Sequence, residues 1–337
     1  MSAPGVRLEE RGRLDLGDYP VDTAWSNDER ALLVGGGQGT LLLVEVAAMA
    51  ARPLAGHAGG VLAVAWRPGA QQFATSGQDG EVRLWDARSG AAHVIHAATQ
   101  WSEQLAFSTR HLAVATGGAL QVFSADGSAH AQLPAQPSVI AALAWRPKGG
   151  ELAALGNGGA RLHRLEPKPE MREFPLPGAC LTASWSPDGR ILASGMQDGS
   201  VHYWNIAAGS QSQMRGYGAK VTLTSWSSNG RLLATAADAQ IIVWDFSGRG
   251  PEGSEPLQLE SHTARLTQLA FQPRGSLLAA GARDHRVTLW RPAQPQQPVD
   301  AQLLSEEVAL LRWSPSGEQL AVADRAGVLT FYRLRPA

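Results

Sequence analysis

The sequence predicts an all-β fold built from repeated antiparallel sheets, and three observations lead to this prediction. A segment that ends on an aromatic residue recurs about every 41 residues. The turns between segments are rich in Pro, Gly, Asn and Asp, and the segments themselves are short and apolar. Several segments, such as residues 61–66, are apolar on both faces, so their sheets must be covered on both sides.

The repeat is clearest at Trp185-Ser186-Pro187-Asp188-Gly189, and seven further units align with it. The anchoring aromatics stand at positions 25, 66, 107, 145, 185, 226, 271 and 313, with spacings of 41, 41, 38, 40, 41, 45 and 42 residues. The units at positions 25 and 107 are the weaker members. Eight units account for nearly the whole chain, which indicates one repeat domain over residues 1–337.

Each unit contains three predicted strands in the same order. The first ends on the aromatic, the second corresponds to residues 191–195, and the third to residues 201–204. Proline presets φ in the first turn, and Asp-Gly pairs at 79–80 and 198–199 favour tight hairpins. A β-propeller, a ring of sheets standing face to face, covers both faces of every blade. We predict a single propeller of four-stranded antiparallel blades, eight in number, or seven if the unit at Phe107 is irregular.

Several segments resemble the WD-repeat β-propeller family. They are residues 82–86 (VRLWD), 242–245 (IVWD) and 287–290 (VTLW), with Gly56-His57 upstream, and the resemblance extends over residues 5–335. It implies a rigid platform that holds partners across its loop-rich face or at the mouth of a central channel. In this family the N-terminus commonly supplies the last strand of the final blade. Because the last unit ends at its third strand, we predict that segment 6–16, roughly from Gly12 to Leu16, closes the eighth blade.

Two units contain polar residues that could suggest a catalytic site. These are His57, Thr75, Asp79 and Trp85 in the second unit, and His262, Asp284 and Trp290 at identical offsets in the seventh, where Ala280 replaces the threonine. The resemblance implies that such residues form a hydrogen-bonded network within a blade. An active site occurs once in a chain, whereas this set recurs in degraded form, with Tyr217 at the histidine position of the sixth unit. We therefore predict a structural network and no catalytic residues.

No pattern in the sequence predicts a metal or a cofactor. His93 and His96 are three residues apart on a predicted strand and would point to opposite faces, and the remaining histidines show no ligand spacing. The glycine-rich residues 35–39 lie at a predicted hairpin with no helix after them, unlike a phosphate-binding loop. The single cysteine, Cys180, falls in a predicted first strand, and we expect a packed interior thiol.

The register of the repeat provides candidate residues for partner binding. The residue six before each anchoring aromatic opens the innermost strand near the predicted channel mouth, and the residue before each hairpin aspartate faces the same rim. The large or polar side chains at these positions belong to Tyr19, Trp101, Lys220, Arg265, Glu307, Gln78, Gln197 and Arg283. Trp101 stands out because tryptophan is a frequent interface anchor. The alternative is that it fills an irregular third blade.

Composition limits the function classes. The 29 basic and 30 acidic residues give a net charge of -1, so nothing favours nucleic acid or an anionic membrane as a partner. No apolar run approaches the roughly 20 residues of a membrane span, the first residues lack a secretion signal, and one cysteine suits a reducing cytosol. We predict a soluble, cytoplasmic, monomeric and non-enzymatic platform for protein partners. The alternative is a small-molecule or metal-handling protein that uses the channel mouth.

Overall fold

A computed structural model describes residues 5–248 and 250–336, and their regular structure consists of strands. No helix among these residues is long and apolar enough to cross a membrane. The chain divides into two compact units, one of Leu16–Cys180 and one that joins Met1–Asp15 to Leu181–Ala337. Each unit holds four antiparallel sheets, which are the blades of an eight-bladed β-propeller.

Consecutive strands pair antiparallel in the first seven blades, and in the eighth the first strand of the chain joins the last. Strand β1 (Val6–Asp15) belongs to the unit with the C-terminal half of the chain. The unit Leu16–Cys180 contains the first blade, β2 (Pro20–Trp25), β3 (Ala31–Gly36), β4 (Leu41–Glu45) and β5 (Ala50–Pro53); the second, β6 (Val61–Trp66), β7 (Gln72–Gly77), β8 (Glu81–Asp86) and β9 (Ala92–Ala97); the third, β10 (Ser102–Phe107), β11 (His111–Thr116), β12 (Ala119–Ser124) and β13 (Ala129–Leu133); and the fourth, β14 (Ile140–Trp145), β15 (Glu151–Arg164) and β16 (Glu170–Ala179).

The other unit contains the last four blades. They are the fifth, β17 (Ser184–Trp185), β18 (Ile191–Gly195), β19 (Val201–Asn205) and β20 (Ser210–Met214); the sixth, β21 (Val221–Trp226), β22 (Leu232–Ala237), β23 (Gln240–Asp245) and β24 (Leu257–Leu259); the seventh, β25 (Leu266–Phe271), β26 (Leu278–Ala282), β27 (Arg286–Trp290) and β28 (Asp300–Leu303); and the eighth, β29 (Val308–Trp313), β30 (Gln319–Asp324) and β31 (Val328–Pro336) with β1.

Three of the recurring tryptophans form a hydrogen bond with the first strand of the preceding blade. Trp145 Nε1 donates a hydrogen bond to the carbonyl oxygen of Ala106 (2.8 Å), and Trp313 Nε1 donates to that of Ala270 (3.0 Å). Each acceptor lies in the first strand of the preceding blade, and Trp226 makes the equivalent bond. A mostly buried indole needs a partner for its N–H, which explains why tryptophan prevails at this position.

The N-terminal strand closes the eighth blade, as the sequence predicts. Strand β1 pairs antiparallel with β31, from Val6 opposite Pro336 to Asp15 opposite Val328, with a bulge between Glu10 and Gly12. The closing segment is longer than the predicted Gly12 to Leu16, because it occupies the whole of β1. Leu8 is buried in the core of this blade, and its N–H donates to Asp300 Oδ2 of the seventh blade (2.6 Å).

The irregular blade is the fourth and not the third. The third blade has four regular strands, so the seven-blade alternative is wrong. In the fourth blade, β15 takes the place of the second and third strands: its first half pairs with β14 and its second half with β16. Gly158 and Gly159 have φ of 95° and 117° at the change of partner, a conformation that suits glycine. Cys180 is buried as expected, but lies outside the fifth blade's short first strand, β17.

Candidate functional site

The polar residues of the second blade form one continuous hydrogen-bonded chain. Trp85 Nε1 donates to Thr75 Oγ1 (2.9 Å), Thr75 Oγ1 lies 2.8 Å from His57 Nε2, and His57 Nδ1 lies 2.9 Å from Asp79 Oδ1. Burial lowers the pKa of His57, so the ring is neutral, with Nδ1–H donating to Asp79 and Nε2 accepting from the threonine. The Thr75 hydroxyl is buried and inaccessible to a substrate. This geometry links β7 and β8 to the loop before β6 but offers no nucleophile.

The seventh blade contains the same chain with one residue that the sequence analysis missed. His262 Nδ1 lies 3.1 Å from Asp284, but its Nε2 lies 2.9 Å from Thr288 Oγ1, which also accepts from Trp290 Nε1 (3.0 Å). Thr288 faces Ala280 directly across the pair β26/β27. The hydroxyl is therefore supplied by the third strand of this blade instead of the second. The pairing register of the two strands is the signal that could have identified Thr288.

The sixth blade substitutes a phenol for the imidazole. Tyr217 Oη lies 2.6 Å from Thr235 Oγ1 and accepts from Trp244 Nε1 at 2.6 Å. Thr235 in turn donates to the carbonyl of Ile242 (3.1 Å), so here the indole bonds to the phenol and the chain ends on a backbone carbonyl instead of an acidic residue. Burial raises the pKa of Tyr217 to about 12, and the phenol remains protonated. The recurrence of these chains in three blades fits a structural role for them.

Trp101 borders a cavity in the unit Leu16–Cys180. The indole is 49% exposed, and Val139 at the same repeat position of the next blade is 56% exposed. Both line a cavity of about 340 Å³, together with Gln100 and Glu103. The third blade has four paired strands, and the Trp101 side chain extends from it toward solvent.

Glu103 reaches the cavity through a bulge in the first strand. Pairing passes from Ser102 opposite Thr116 to Gln104 opposite Ala115, which leaves Glu103 as the extra residue. The Ser102 and Thr116 hydroxyls lie 2.7 Å apart in the interior and fix the start of this strand. Six other blades have the same bulge, with an apolar residue or threonine as the extra residue. Within residues 5–248 and 250–336 the Glu103 carboxylate has no hydrogen-bond or ion-pair partner, so it is available to a ligand.

In the other unit, two of the predicted residues meet. Glu307 Oε2 lies 3.7 Å from Arg283 Nε and 3.3 Å from Nη1 of Arg325, a residue that the sequence analysis missed although it follows a hairpin aspartate. The Arg283 N–H donates to the carbonyl of Arg265 (3.0 Å), which brings a third exposed arginine beside them. We call Arg265, Arg283 and Arg325 the arginine patch. Arg283 and Arg325 share the single carboxylate of Glu307.

The remaining residues predicted to bind a partner belong to neither the Trp101 cavity nor the arginine patch. The ring of Tyr19 is exposed but lies over Gly37, where a β-carbon would collide with it. Gln78 Oε1 accepts from the Gly60 N–H (3.1 Å) and so joins the turn after β7 to the loop before β6 of the same blade. Lys220 and Gln197 are exposed, and their side chains make no hydrogen bond or ion pair with another described residue.

Comparisons with known proteins identify WD repeats in four segments of the chain. The WD domain, G-beta repeat family matches residues 51–86, 174–205, 210–245 and 253–291. Each match ends at the third strand of a blade or one residue beyond it. The WD repeat-containing protein slp1 of Schizosaccharomyces pombe is 25% identical over 82% of this chain and 50% of its own length. The B-type cell cycle switch protein ccs52A of Medicago truncatula is 26% identical over 68% of this chain and 50% of its own length.

Two further comparisons, one with a curated protein and one with a solved structure, also show similarity over most of the chain. The Arabidopsis thaliana protein named cell division cycle 20.1, cofactor of APC complex, is 23% identical over 79% of this chain and 43% of its own length. The chain thus spans about half the length of the curated relatives it matches. The crystal structure of the computationally designed Ika8 protein superposes with a TM-score of 0.81 at 18% identity, over 98% of this chain and all of that one, which shows the fold. With eight antiparallel blades and WD repeats matched in four places, the chain belongs to the WD-repeat β-propeller family.

Proposed function

We propose that this protein is a non-enzymatic platform for protein partners, and that the cavity beside Trp101 is a principal contact. The observation that supports this proposal is the exposure of two large apolar side chains, Trp101 and Val139, on adjacent blades around one cavity. Tryptophan is among the residues most enriched at binding hot spots. A relative named as a cofactor of the APC complex also favours a partner that is a protein.

The chemistry of this cavity favours a lysine or arginine side chain of the partner. A cation placed over an indole face is attracted by the ring quadrupole. Glu103, two residues after Trp101 and on β10, adds a carboxylate that can form a charge-assisted hydrogen bond with the same cation. An apolar stem of the incoming side chain would pack on Val139 while its charged head reaches Glu103.

The arginine patch offers a second and independent contact. Guanidinium groups pair with carboxylates in bidentate geometry, and Glu307 neutralises only one of the three charges. We propose that the patch takes an acidic segment of a partner. Such rim contacts affect mainly the association rate and its dependence on salt.

The test is capture of partners from an extract of the native cells, quantified by mass spectrometry for wild type and variants. For Trp101→Ala we expect at least about a tenfold loss of the main partner, because a hot-spot truncation costs 2 kcal/mol or more. Glu103→Gln should weaken the same partner, and Arg265→Ala should weaken capture most at low salt. Thermal unfolding of each variant should match wild type, since all three side chains are exposed.

Leu303→Ala is the matched control for the Trp101 cavity, because Leu303 on β28 is a large apolar side chain that is 74% exposed and lies outside the unit Leu16–Cys180 that contains Trp101. Capture by this variant should equal that of wild type. If Trp101→Ala retains its partners, or if Leu303→Ala loses the same partners, the Trp101 cavity is not the contact.

The remaining parts of the proposal follow from the same features. The buried hydroxyls of the polar chains support a non-enzymatic role, and the net charge of -1 supports a partner other than nucleic acid. We propose a cytoplasmic protein that is monomeric by itself, which cell fractionation and light scattering can check. A small-molecule or metal-handling role is the alternative, and the third blade provides a specific reason to consider it.

A further inference from the structure

The third blade has an unusually short turn between its first and second strands. In the other seven blades a backbone N–H at the start of this turn bonds to a carbonyl five residues later, as from Ser186 to Ile191. In the third blade the Ser108 N–H bonds to His111 O, three residues later, at 2.8 Å. The two missing residues explain the 38-residue spacing after position 107. A cavity of about 670 Å³ lies beside the short turn, lined mainly by the third and fourth blades.

Three potential metal ligands meet at this cavity. They are His111 at the start of β11, His130 on β13 and Glu166 in the turn after β15, and their ligand atoms all lie within 4.8 Å of one another. The imidazole centroids of the two histidines are 4.3 Å apart, and His111 also stacks on Trp145. His111 and Glu166 line the cavity itself.

A β-bulge places His130 beside His111. Pairing in the outer strand passes from Ala131 opposite Val122 to Ala129 opposite Phe123, so His130 is the extra residue. A bulge redirects the side chain of its extra residue. Neither imidazole has a side-chain hydrogen bond to another residue in the described ranges, so both keep nitrogen lone pairs for a ligand. This convergence depends on strand pairing, which explains why spacing in the sequence does not reveal it.

We propose that His111, His130 and Glu166 form a binding site for a divalent transition-metal ion, with Zn²⁺ as the best match. Two imidazoles and one carboxylate are a donor set that zinc accepts, with the fourth position left for water or a ligand. Bonds of about 2.0–2.1 Å hold tetrahedral donor atoms roughly 3.4 Å apart. The three groups must therefore approach by at most about 1.4 Å, which rotation of the exposed His130 and Glu166 side chains can supply. The fourth position would face the cavity.

Arg110 competes with the metal ion for the carboxylate of Glu166. Its Nη2 lies 2.9 Å from Glu166 Oε2 in an exposed ion pair. A carboxylate has two oxygens, so one can bind the ion while the other keeps the guanidinium, an arrangement in which the arginine orients the ligand from outside the coordination sphere. Exposed ion pairs contribute little free energy, and the arginine side chain can also turn away.

The experiment is calorimetric titration of Zn²⁺ into the full chain after treatment with a chelator and removal of any histidine tag. We expect about one equivalent bound by wild type. Affinity should fall roughly a hundredfold or more in His130→Ala and in Glu166→Gln, since loss of an outer-shell partner alone costs 10- to 100-fold. Visible spectra of the Co²⁺-loaded protein should show a tetrahedral band in wild type that both variants lose.

His93→Ala is the matched control, because His93 is an exposed histidine on β9 outside the cluster. It should bind zinc as wild type does, and thermal unfolding without metal should show that every variant is folded. No binding by wild type, or affinity unchanged in both His130→Ala and Glu166→Gln, would overturn the proposal. Adventitious binding to surface histidines would appear as a loss in His93→Ala equal to that in His130→Ala, and would overturn it equally.

Discussion

The polar chains of the second and seventh blades place a hydroxyl at one point in space from two different positions in the sequence. Thr75 supplies it from the second strand, and Thr288 supplies it from the third. Thr288 and Ala280 face each other across an antiparallel pair, where β-carbons lie close together. A threonine at either position can therefore reach the same imidazole nitrogen, which is why the offset rule derived from the second unit misses Thr288.

The equivalence of positions 280 and 288 can be tested by removing the hydroxyl from one and placing it on the other. Thr288→Ala should reduce the free energy of unfolding by about 1–3 kcal/mol, because it leaves buried N–H and imidazole groups of Trp290 and His262 without a partner. Adding Ala280→Thr to this variant should recover most of the loss. Chemical denaturation of the single and double variants gives the measurement. A double variant no more stable than Thr288→Ala would contradict the equivalence.

His57 should be as important as the threonine it contacts. His57→Ala removes the link between Thr75 and Asp79, and we expect a loss of about 1–3 kcal/mol in the free energy of unfolding from the buried groups left unpaired. Partner capture should persist wherever the variant is folded. An unfolding curve identical to that of wild type would show that the hydrogen-bonded chain does not stabilise the blade.

At the scale of elements, strand pairing decides what the side chains can do. The repeat period and turn residues were sufficient to predict the blades, because each blade depends on local sequence. The closure pairs the two ends of the chain, and its prediction depended on the family resemblance and on a last unit that ends at its third strand. The exposure of Glu103 and the approach of His130 to His111 depend on single-residue bulges. A bulge is fixed by the pairing of two strands, so the sequence of one strand does not reveal it. For the same reason the joined strand β15 was not foreseen.

The closing strand provides the prediction at this scale. Deletion of residues 1–17 removes β1, exposes the edge of β31 and uncovers core around Leu8. We expect loss of cooperative unfolding, measured by calorimetry, because an unpaired edge strand leaves backbone groups unsatisfied. Deletion of residues 1–4 alone is the control and should leave the transition unchanged. If the longer deletion melts like wild type, β1 is dispensable.

At the scale of the whole molecule, burial gives the histidines a common effect on stability. Burial is the main cause of a lowered pKa for His57, His96, His111, His163, His202 and His262, and brings the pKa of His163 to about 4. An unfolded histidine titrates near about 6.5. Between these values the unfolded chain binds more protons than the folded one, so stability increases with pH through this range.

We therefore expect the free energy of unfolding to fall steadily as the pH is lowered from about 6.5 to 4. His163→Gln should make this dependence shallower, because His163 is buried and burial lowers its pKa to about 4. Denaturation curves at a series of pH values give the slope for both proteins. Equal slopes would mean that His163 does not titrate differently on unfolding.

The pairing of β1 with β31 has a mechanical consequence. The strands are antiparallel, and Val6 lies opposite Pro336 at one end of the pair. Tension applied through these two residues would load the pair at that end alone, so its hydrogen bonds would break one after another, toward Asp15 and Val328, instead of sharing the force. The blade closed by this strand is thus the place where stretching would begin to open the protein, at low force and in small steps.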